Sequence, residues 1–328
     1  MARYERILMT GGAGFVGSHL APGLATDYPH ARRAILTLPG AHGPVDPAWT
    51  RLDGDLLDAR ALDRTIAEFR PDLVAHLAGQ ASIGKALHAG EATWRANFCG
   101  SLHLASALAR HAPQAVLLFT SSASVYGASL KDGPACEETP LWPLDAYGRS
   151  KAATEAMFSD VLGPEARLIV VRPVNHTGPR QSPQNFVLSS FASQIAAIEA
   201  GRKEPRLKVG DLAKARDFLD VRDVVAAYRA LVARADALTD RVNCFNVGSG
   251  APVAIGDLLE GLRALARRPF EVEVEAALLR PAAVDLPTVA LNAGKLREAT
   301  GWRPAQSTQD MLGALMDYWR SVEAAKAV

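Results

Sequence analysis

The short apolar run "RILMT", Arg6 to Thr10, passes without a spacer into "GGAGFVGSHL", and this junction constrains the fold more than any other stretch of the chain. Gly11, Gly14 and Gly17 recur at three-residue spacing where a strand would end and a helix begin. One glycine permits a tight turn, a second lets backbone approach a pyrophosphate, and a third allows the helix to pack closely on the strand. The first helical turn, with Phe15 and Val16, adds backbone N–H donors and the positive end of the helix dipole. A turn that is merely tight is the alternative. Because this is the first such junction of the chain, we read it as a dinucleotide-binding loop.

The rhythm that follows suits such a loop. Apolar runs "RAILTL", "RLDGDLLD", "DLVAHLAG", "AVLLFTS" and "RLIVVRP" alternate with helical patterns at 15–27, 59–69, 91–110 and 146–162. Strands separated by helices predict an α/β fold with a doubly wound, Rossmann-like parallel sheet. Pro173 stops the last of these strands, and "VNHTGPRQSPQNFV" beyond it is loop-like. Helices are expected at 188–201 and 255–267, with some of the intervening segments returning to the sheet. The 328 residues thus divide into a dinucleotide-binding core, 1–174 and 217–248, and a smaller, interleaved α/β substrate lobe, 175–216 and 249–328.

A formal net charge of +1 gives no general attraction to nucleic acid or to an anionic membrane, so neither is expected as a partner. Any anion site must be a local cluster of Arg and Lys. Cys99, Cys136 and Cys244 lack the spacing of a metal or redox motif and read as reduced, mostly buried thiols. The first residues carry too short an apolar run for a signal peptide, and no apolar stretch of about 18 residues occurs. A cytoplasmic protein is expected.

The second strand would normally be followed by a carboxylate that holds a ribose 2′-hydroxyl. Here Leu38, Pro39 and Gly40 stand instead, and Arg32 and Arg33 precede the strand. With no acid to repel a 2′-phosphate, the reading is NAD(P)H with a lean to NADPH. Asp55, in "GDLLD", could accept a hydrogen bond from an adenine amino group or serve as a turn or helix cap.

The run "AVLLFTSSASVYG" starts as a buried strand and ends with hydroxyl side chains at four of the five positions Thr120 to Ser124. Further on, "YGRSK" sets Tyr147 and Lys151 one helical turn apart. A phenol with an ordinary pKa of about 10 exchanges protons near neutrality only if something favours the phenolate, which an ammonium one turn away does.

"TGGAGFVG", "HLAGQ", Asn97, "SSASVYG", "YGRSK" and "RPVN" stand in the order and spacing of the extended short-chain dehydrogenase/reductases, the nucleotide-sugar epimerases, dehydratases and reductases. The chain resembles that superfamily over nearly its whole length. The resemblance implies that Ser122 is the catalytic hydroxyl, Tyr147 the proton donor or acceptor, and Lys151 the residue that lowers the tyrosine pKa and holds the nicotinamide ribose. It implies cofactor contacts at Gly11, Gly14, Phe15, Val16, Gly17, Asp55, Leu56, Leu77, Ala78, Gly79, Asn97, Tyr147 and Lys151, with Asn97 also supporting the active-site helix and strand.

"RPVNHTGPRQSPQNFV", "ARDFLDVRDVVAAY", "FNVGSG" and "RPAAVDLP" resemble most the GDP-4-keto-6-deoxy-D-mannose reductases. That likeness implies a nucleotide-diphosphate sugar as substrate, met by Ser122, Asn175, Val187, Arg216 and Arg280, because a diphosphate needs cationic, bidentate donors. Arg216 could equally pair with Asp217 or Asp220, Arg280 could be a solvated loop charge, and His176 could simply bond a loop. Arg180 stands where such reductases are expected to carry glycine; it could reach the substrate or point to solvent. The expected activity is NAD(P)H-dependent reduction of a 4-keto sugar, GDP-4-keto-6-deoxy-D-mannose to GDP-D-rhamnose. The runners-up are a UDP-sugar 4-epimerase with tightly held NAD and a non-catalytic nucleotide-binding or redox-sensing protein. In the similar 4,6-dehydratases a glutamate lies two positions after the catalytic hydroxyl; here that position is Ser124, so no dehydration is expected. A homodimer is expected through the helix near 91–110 and the helix carrying Tyr147.

Overall fold

The computed structural model describes residues 3–40 and 45–326. The first half contains β1 (Arg6–Thr10), α1 (Phe15–Asp27), β2 (Arg32–Thr37), β3 (Thr50–Asp53), α2 (Ala59–Phe69) and β4 (Leu73–His76). Two short helices, α3 (Ile83–His88) and α4 (Gly90–Trp94), lead through a π-helical turn at Arg95–Cys99 into α5 (Gly100–His111). The helix expected at 91–110 is therefore interrupted by a bulge. Then come β5 (Val116–Thr120), α6 (Ala146–Val161) and β6 (Arg167–Pro173). The second half contains β7 (Asn175–Thr177), α7 (Val187–Glu199), β8 (Arg206–Val209), β9 (Ala215–Arg216), β10 (Phe218–Asp220), α8 (Val221–Ala233) and β11 (Val242–Val247). It closes with β12 (Val253–Ala254), α9 (Ile255–Leu265), β13 (Glu271–Val274), β14 (Thr288–Val289), α10 (Gly294–Thr300) and α11 (Thr308–Ala325).

Seven strands form one parallel sheet in the order β11, β6, β5, β4, β1, β2, β3. The doubly wound fold is as expected from the alternation of strands and helices. Strands covered on both faces must be apolar throughout, which is why they read as continuous runs. In β1, Ile7 and Met9 enter the core on the side of α1 and α8, and Leu8 enters the core on the side of α2, α5 and α6. The strand order reverses between β1 and β4, which opens a crevice at the carboxyl ends of the strands. The paired charges of Arg229 and Asp27, 2.6 Å apart, tie α8 to α1.

A third core, with Leu188, Phe191, Leu258, Leu312 and Trp319, lies between α7, α9 and α11. Parallel strands β8 and β13 join it. The stretch Leu286–Trp302 behaves otherwise: Leu286, Leu291, Leu296 and Trp302 pack into the core on the α1 side of the large sheet. By packing, that part of 249–328 belongs with the dinucleotide-binding core. The three cysteines are free, as expected, but half-buried rather than buried.

Candidate active site

A cleft of ≈ 950 Å³ runs along the carboxyl ends of the strands and under the smaller lobe. The glycine loop forms one wall. Gly11 takes φ +70°, and a Cβ there would lie 2.7 Å from the Ala78 backbone nitrogen at the end of β4. A Cβ on Gly17 would lie 2.5 Å from the Gly11 carbonyl. Glycine at these positions brings β1, β4 and α1 close enough to leave the α1 N-terminus bare toward the cleft, which fits a dinucleotide pyrophosphate. Gly14, Phe15, Val16, Leu56, Leu77, Ala78 and Gly79 line the same cleft.

Asp55 also lines it, but one carboxylate oxygen accepts the Leu57 backbone N–H at 2.8 Å, so it builds the turn as well. The cap of α2 is Asp58. At the end of β2, Leu36, Thr37 and Leu38 face the cleft. Arg33 is committed to the Tyr28 carbonyl at 2.6 Å and Arg32 lies over the Phe69 ring, so neither supplies a phosphate ligand.

The hydroxyl-ended strand and α6 meet on the opposite wall. Asp145 caps α6 by accepting the Gly148 N–H at 2.8 Å, which sets the phase of the helix and turns Tyr147 and Lys151 inward. Both are buried, as is Ser122. The Ser122 hydroxyl accepts the Ser124 N–H at 3.1 Å, and Ser122 and Tyr147 line the same wall of the cleft. Burial raises the phenol pKa above its ordinary value, the nearby Ser122 hydroxyl lowers it in part, and the Asp145 charge raises it further. Lys151 is not among the groups that move it. The ammonium instead donates to the Thr120 carbonyl at 2.7 Å and sits 4.8 Å above the Phe119 ring. Burial lowers the Lys151 pKa to about 8, with Glu155 opposing the fall.

Asn97 lies behind this wall and does not line the cleft. The π-helical turn carries it, its amide oxygen accepts the Gln80 N–H at 2.7 Å, and its nitrogen donates to Ser150 Oγ at 3.0 Å. It joins the loop after β4 to α6, a supporting position rather than a surface for a cofactor. Beneath it, His76 is held between Thr10 and Ser101.

The lobe side holds the remaining expected residues. Asn175, His176, Val187, Arg216 and Arg280 all line the cleft. Arg216 is buried, and its partner is neither Asp217 nor Asp220 but Asp285, at 2.7 Å. Asp217 instead accepts from Ser249 Oγ at 2.6 Å and the Gly250 N–H at 2.9 Å, and Asp220 pairs with Arg222. Arg280 is exposed and close enough to Arg216 to depress its pKa. His176 bonds the Val174 carbonyl at 2.9 Å and stacks on Phe15 at 5.9 Å. Arg180 holds φ +72°, a backbone region that favours glycine, and its side chain lines the cleft.

Sequence reasoning passed over three residues of this site. Glu155, Arg172 and Tyr126 form a buried cluster directly behind Ser122 and Lys151. The spacing that singled out Lys151 repeats once more at Glu155 and could have found it.

The geometry is that of a dinucleotide-dependent oxidoreductase, with Ser122, Tyr147 and Lys151 brought together on one wall of the cleft, and comparison with known proteins gives the same class. The family model described as GDP-mannose 4,6-dehydratase matches residues 8–315. GDP-6-deoxy-D-mannose reductase of Pseudomonas aeruginosa is 34% identical over 97% of this chain and 98% of its own length. The structure of RMD from the same organism complexed with NADPH superposes with a TM-score of 0.79 at 33% identity, covering 97% of this chain and 99% of that one. UDP-glucose 4-epimerase of Thermus thermophilus complexed with NAD gives a TM-score of 0.81 at 28% identity, covering 96% and 99%. The chain belongs to the GDP-mannose 4,6-dehydratase family of the extended short-chain dehydrogenase/reductases. It is an enzyme of that type, and its glycine loop fits a nicotinamide dinucleotide. Among the described residues no helix is long and apolar enough to cross a membrane.

Proposed function

We propose that this enzyme reduces the 4-keto group of a nucleotide-linked 6-deoxyhexose, converting GDP-4-keto-6-deoxy-D-mannose to GDP-D-rhamnose. The observation that carries the reading is that Tyr147 and Ser122, both buried, line the same cleft with no carboxylate at position 124. Reduction needs a proton donor at the carbonyl oxygen, and a phenol whose pKa is raised remains in the donating form. A reduced nicotinamide bound along this cleft would supply the hydride to C4. Ser122 donates a hydrogen bond to the developing alkoxide while Tyr147 gives it a proton. Lys151 would hold the nicotinamide ribose.

Dehydration, by contrast, needs a carboxylate that moves protons at C5 and C6. Among the described residues the carboxylates lining the cleft are Asp55, which holds a turn, and Asp145, which caps α6. Ser124 has no comparable basicity. The nucleotide diphosphate is assigned to Arg280 and Arg216, with Asn175 and Val187 on the sugar side. The GDP assignment is supported by the 34% identity with GDP-6-deoxy-D-mannose reductase. NADPH is preferred in this reading because no carboxylate lines the cleft at the end of β2. The enzyme works in the cytoplasm as a homodimer, joined through α4, α5 and α6, where Trp94 is 36% exposed. Sedimentation showing only monomer at micromolar concentration would reject the dimer.

The test is a panel of nucleotide sugars assayed with NADPH and NADH. Oxidation of NADPH with the 4-keto-6-deoxy derivative of GDP-mannose, and no turnover of GDP-mannose, is the expected result. Interconversion of UDP-glucose and UDP-galactose by enzyme purified with NAD bound would replace this reading with 4-epimerisation.

A further inference from the structure

Tyr147 and Lys151 are two members of a longer row on α6, and the third is Glu155, again one turn on. Glu155 is 9% exposed. One of its oxygens accepts from Arg172 Nη2 at 2.6 Å, and the other accepts from Arg172 Nε at 3.1 Å and from the Ser121 hydroxyl. Ser121 precedes the catalytic Ser122. Arg172 is itself held by the Tyr126 hydroxyl, which accepts at 2.8 Å, and Tyr126 in turn donates to Asn246 at 2.8 Å. A buried carboxylate therefore joins the two segments that carry the catalytic set, and does so from beneath Lys151.

We infer that Glu155 is a positioning residue that keeps the Lys151 ammonium charged in its buried site and holds the Ser121–Ser122 strand end against α6. The inference rests on the catalytic set of the proposed function. It does not depend on which sugar is bound.

The groups around Lys151 decide the sign. On α6 itself stand Tyr147, a neutral phenol, and Glu155. From β4 comes His76, neutral and fully buried. From β5 come the Thr120 carbonyl and the Phe119 ring, both favourable to a cation. From β6 comes Arg172, paired to Glu155 at 2.6 Å. Among these groups Glu155 carries the one negative charge. Removing it leaves the desolvation of Lys151 unopposed, which favours the neutral amine. Lys151 pKa lies near 8 with Glu155 in place, so a further fall takes it through the pH range in which the enzyme must work.

The experiment compares the wild type with Glu155→Gln and with Glu155→Gln/Arg172→Met. The single variant keeps the shape and an acceptor for Ser121 but leaves Arg172 unpaired, which is costly in a core. The double variant removes both charges and guards against a loss of folding. Two readouts are taken: the alkaline limb of kcat/KM against pH, and the Lys151 titration in protein labelled with 13C at lysine Cε, assigned with Lys151→Met. In both variants the NMR midpoint and the alkaline limb should fall together by about one pH unit or more, the scale of a neighbouring charge. Unchanged midpoints in both variants overturn the inference. So does a shift in the single variant that the double variant reverses, because Glu155 would then act only by cancelling Arg172. An NMR shift in an enzyme inactive on every sugar of the panel would support the inference and reject the substrate reading.

Discussion

Replacing Gly17 with alanine is the most direct test of how the glycine loop is built. The added Cβ would sit 2.5 Å from both the Gly11 carbonyl oxygen and the Gly12 Cα. Ordinary carbon contacts begin near 3.5 Å, so the surroundings must retreat by about 1 Å. Both neighbours are backbone and cannot rotate aside, so α1 must move off the loop. Overpacking of this kind costs about 1–3 kcal/mol. For a chain of this length the unfolding entropy is about 0.7 kcal/mol/K, so Tm should fall by roughly 1.5–4 °C. The same movement carries the α1 N–H groups away from a pyrophosphate; losing one hydrogen bond to a charged group weakens binding roughly 10- to 100-fold.

Gly14→Ala is the control. Gly14 has φ −80°, which any residue adopts, and its Cβ would meet only the Gly11 oxygen at 3.1 Å. The Tm of that variant should stay within about one degree, with any loss confined to cofactor affinity. Thermal unfolding without cofactor and fluorescence titration with NADPH separate the two effects. A Gly17→Ala protein with the wild-type Tm and affinity would refute the packing argument.

The parts of this enzyme set by neighbours in sequence could be read before the fold was known. A strand buried on both faces leaves an apolar run, and a helix places Tyr147 and Lys151 one turn apart whatever surrounds it. Partners across the fold could not be read in that way. Asp217 and Asp220 are close to Arg216 in the chain, yet one holds the loop after β11 and the other bonds Arg222. The carboxylate that does pair with Arg216, Asp285, is brought there by the return of β14 alongside β9. The ammonium was expected to govern the phenol because spacing shows that two groups are near but not where their charges point. Lys151 points at the Thr120 carbonyl. The last helix, α11, had a local signal that went unused: Ser307 and Asp310 form a reciprocal capping box at its start.

Tyr147→Phe should fold and bind cofactor as the wild type does and lose about 10²–10⁴ in kcat, the contribution of a positioned acid; full activity in a steady-state assay would remove Tyr147 from the mechanism. Ser122→Ala should lose about 10²–10³ in kcat, whereas Ser124→Ala, whose backbone N–H makes the bond to Ser122, should change it by less than about threefold. Equal losses in the two would show that Ser124 shares the chemistry. The pH dependence of stability should report His76. The Ser101 hydroxyl donates to the Asn97 carbonyl, so His76 Nε2 must donate to Ser101 and Nδ1 must accept from Thr10; the ring is neutral. Burial, aided by Lys151, lowers its pKa to about 3. The unfolded chain, with an ordinary value near 6.5, binds this proton first as pH falls, so stability present above that value is lost progressively down to about pH 3. Between pH 6.5 and 5 one such group removes about 2 kcal/mol, or roughly 3 °C of Tm. His76→Asn lacks that proton, so its Tm should fall less steeply than the wild type between pH 7 and 5. Parallel curves for the two proteins would mean that His76 is protonated in the fold.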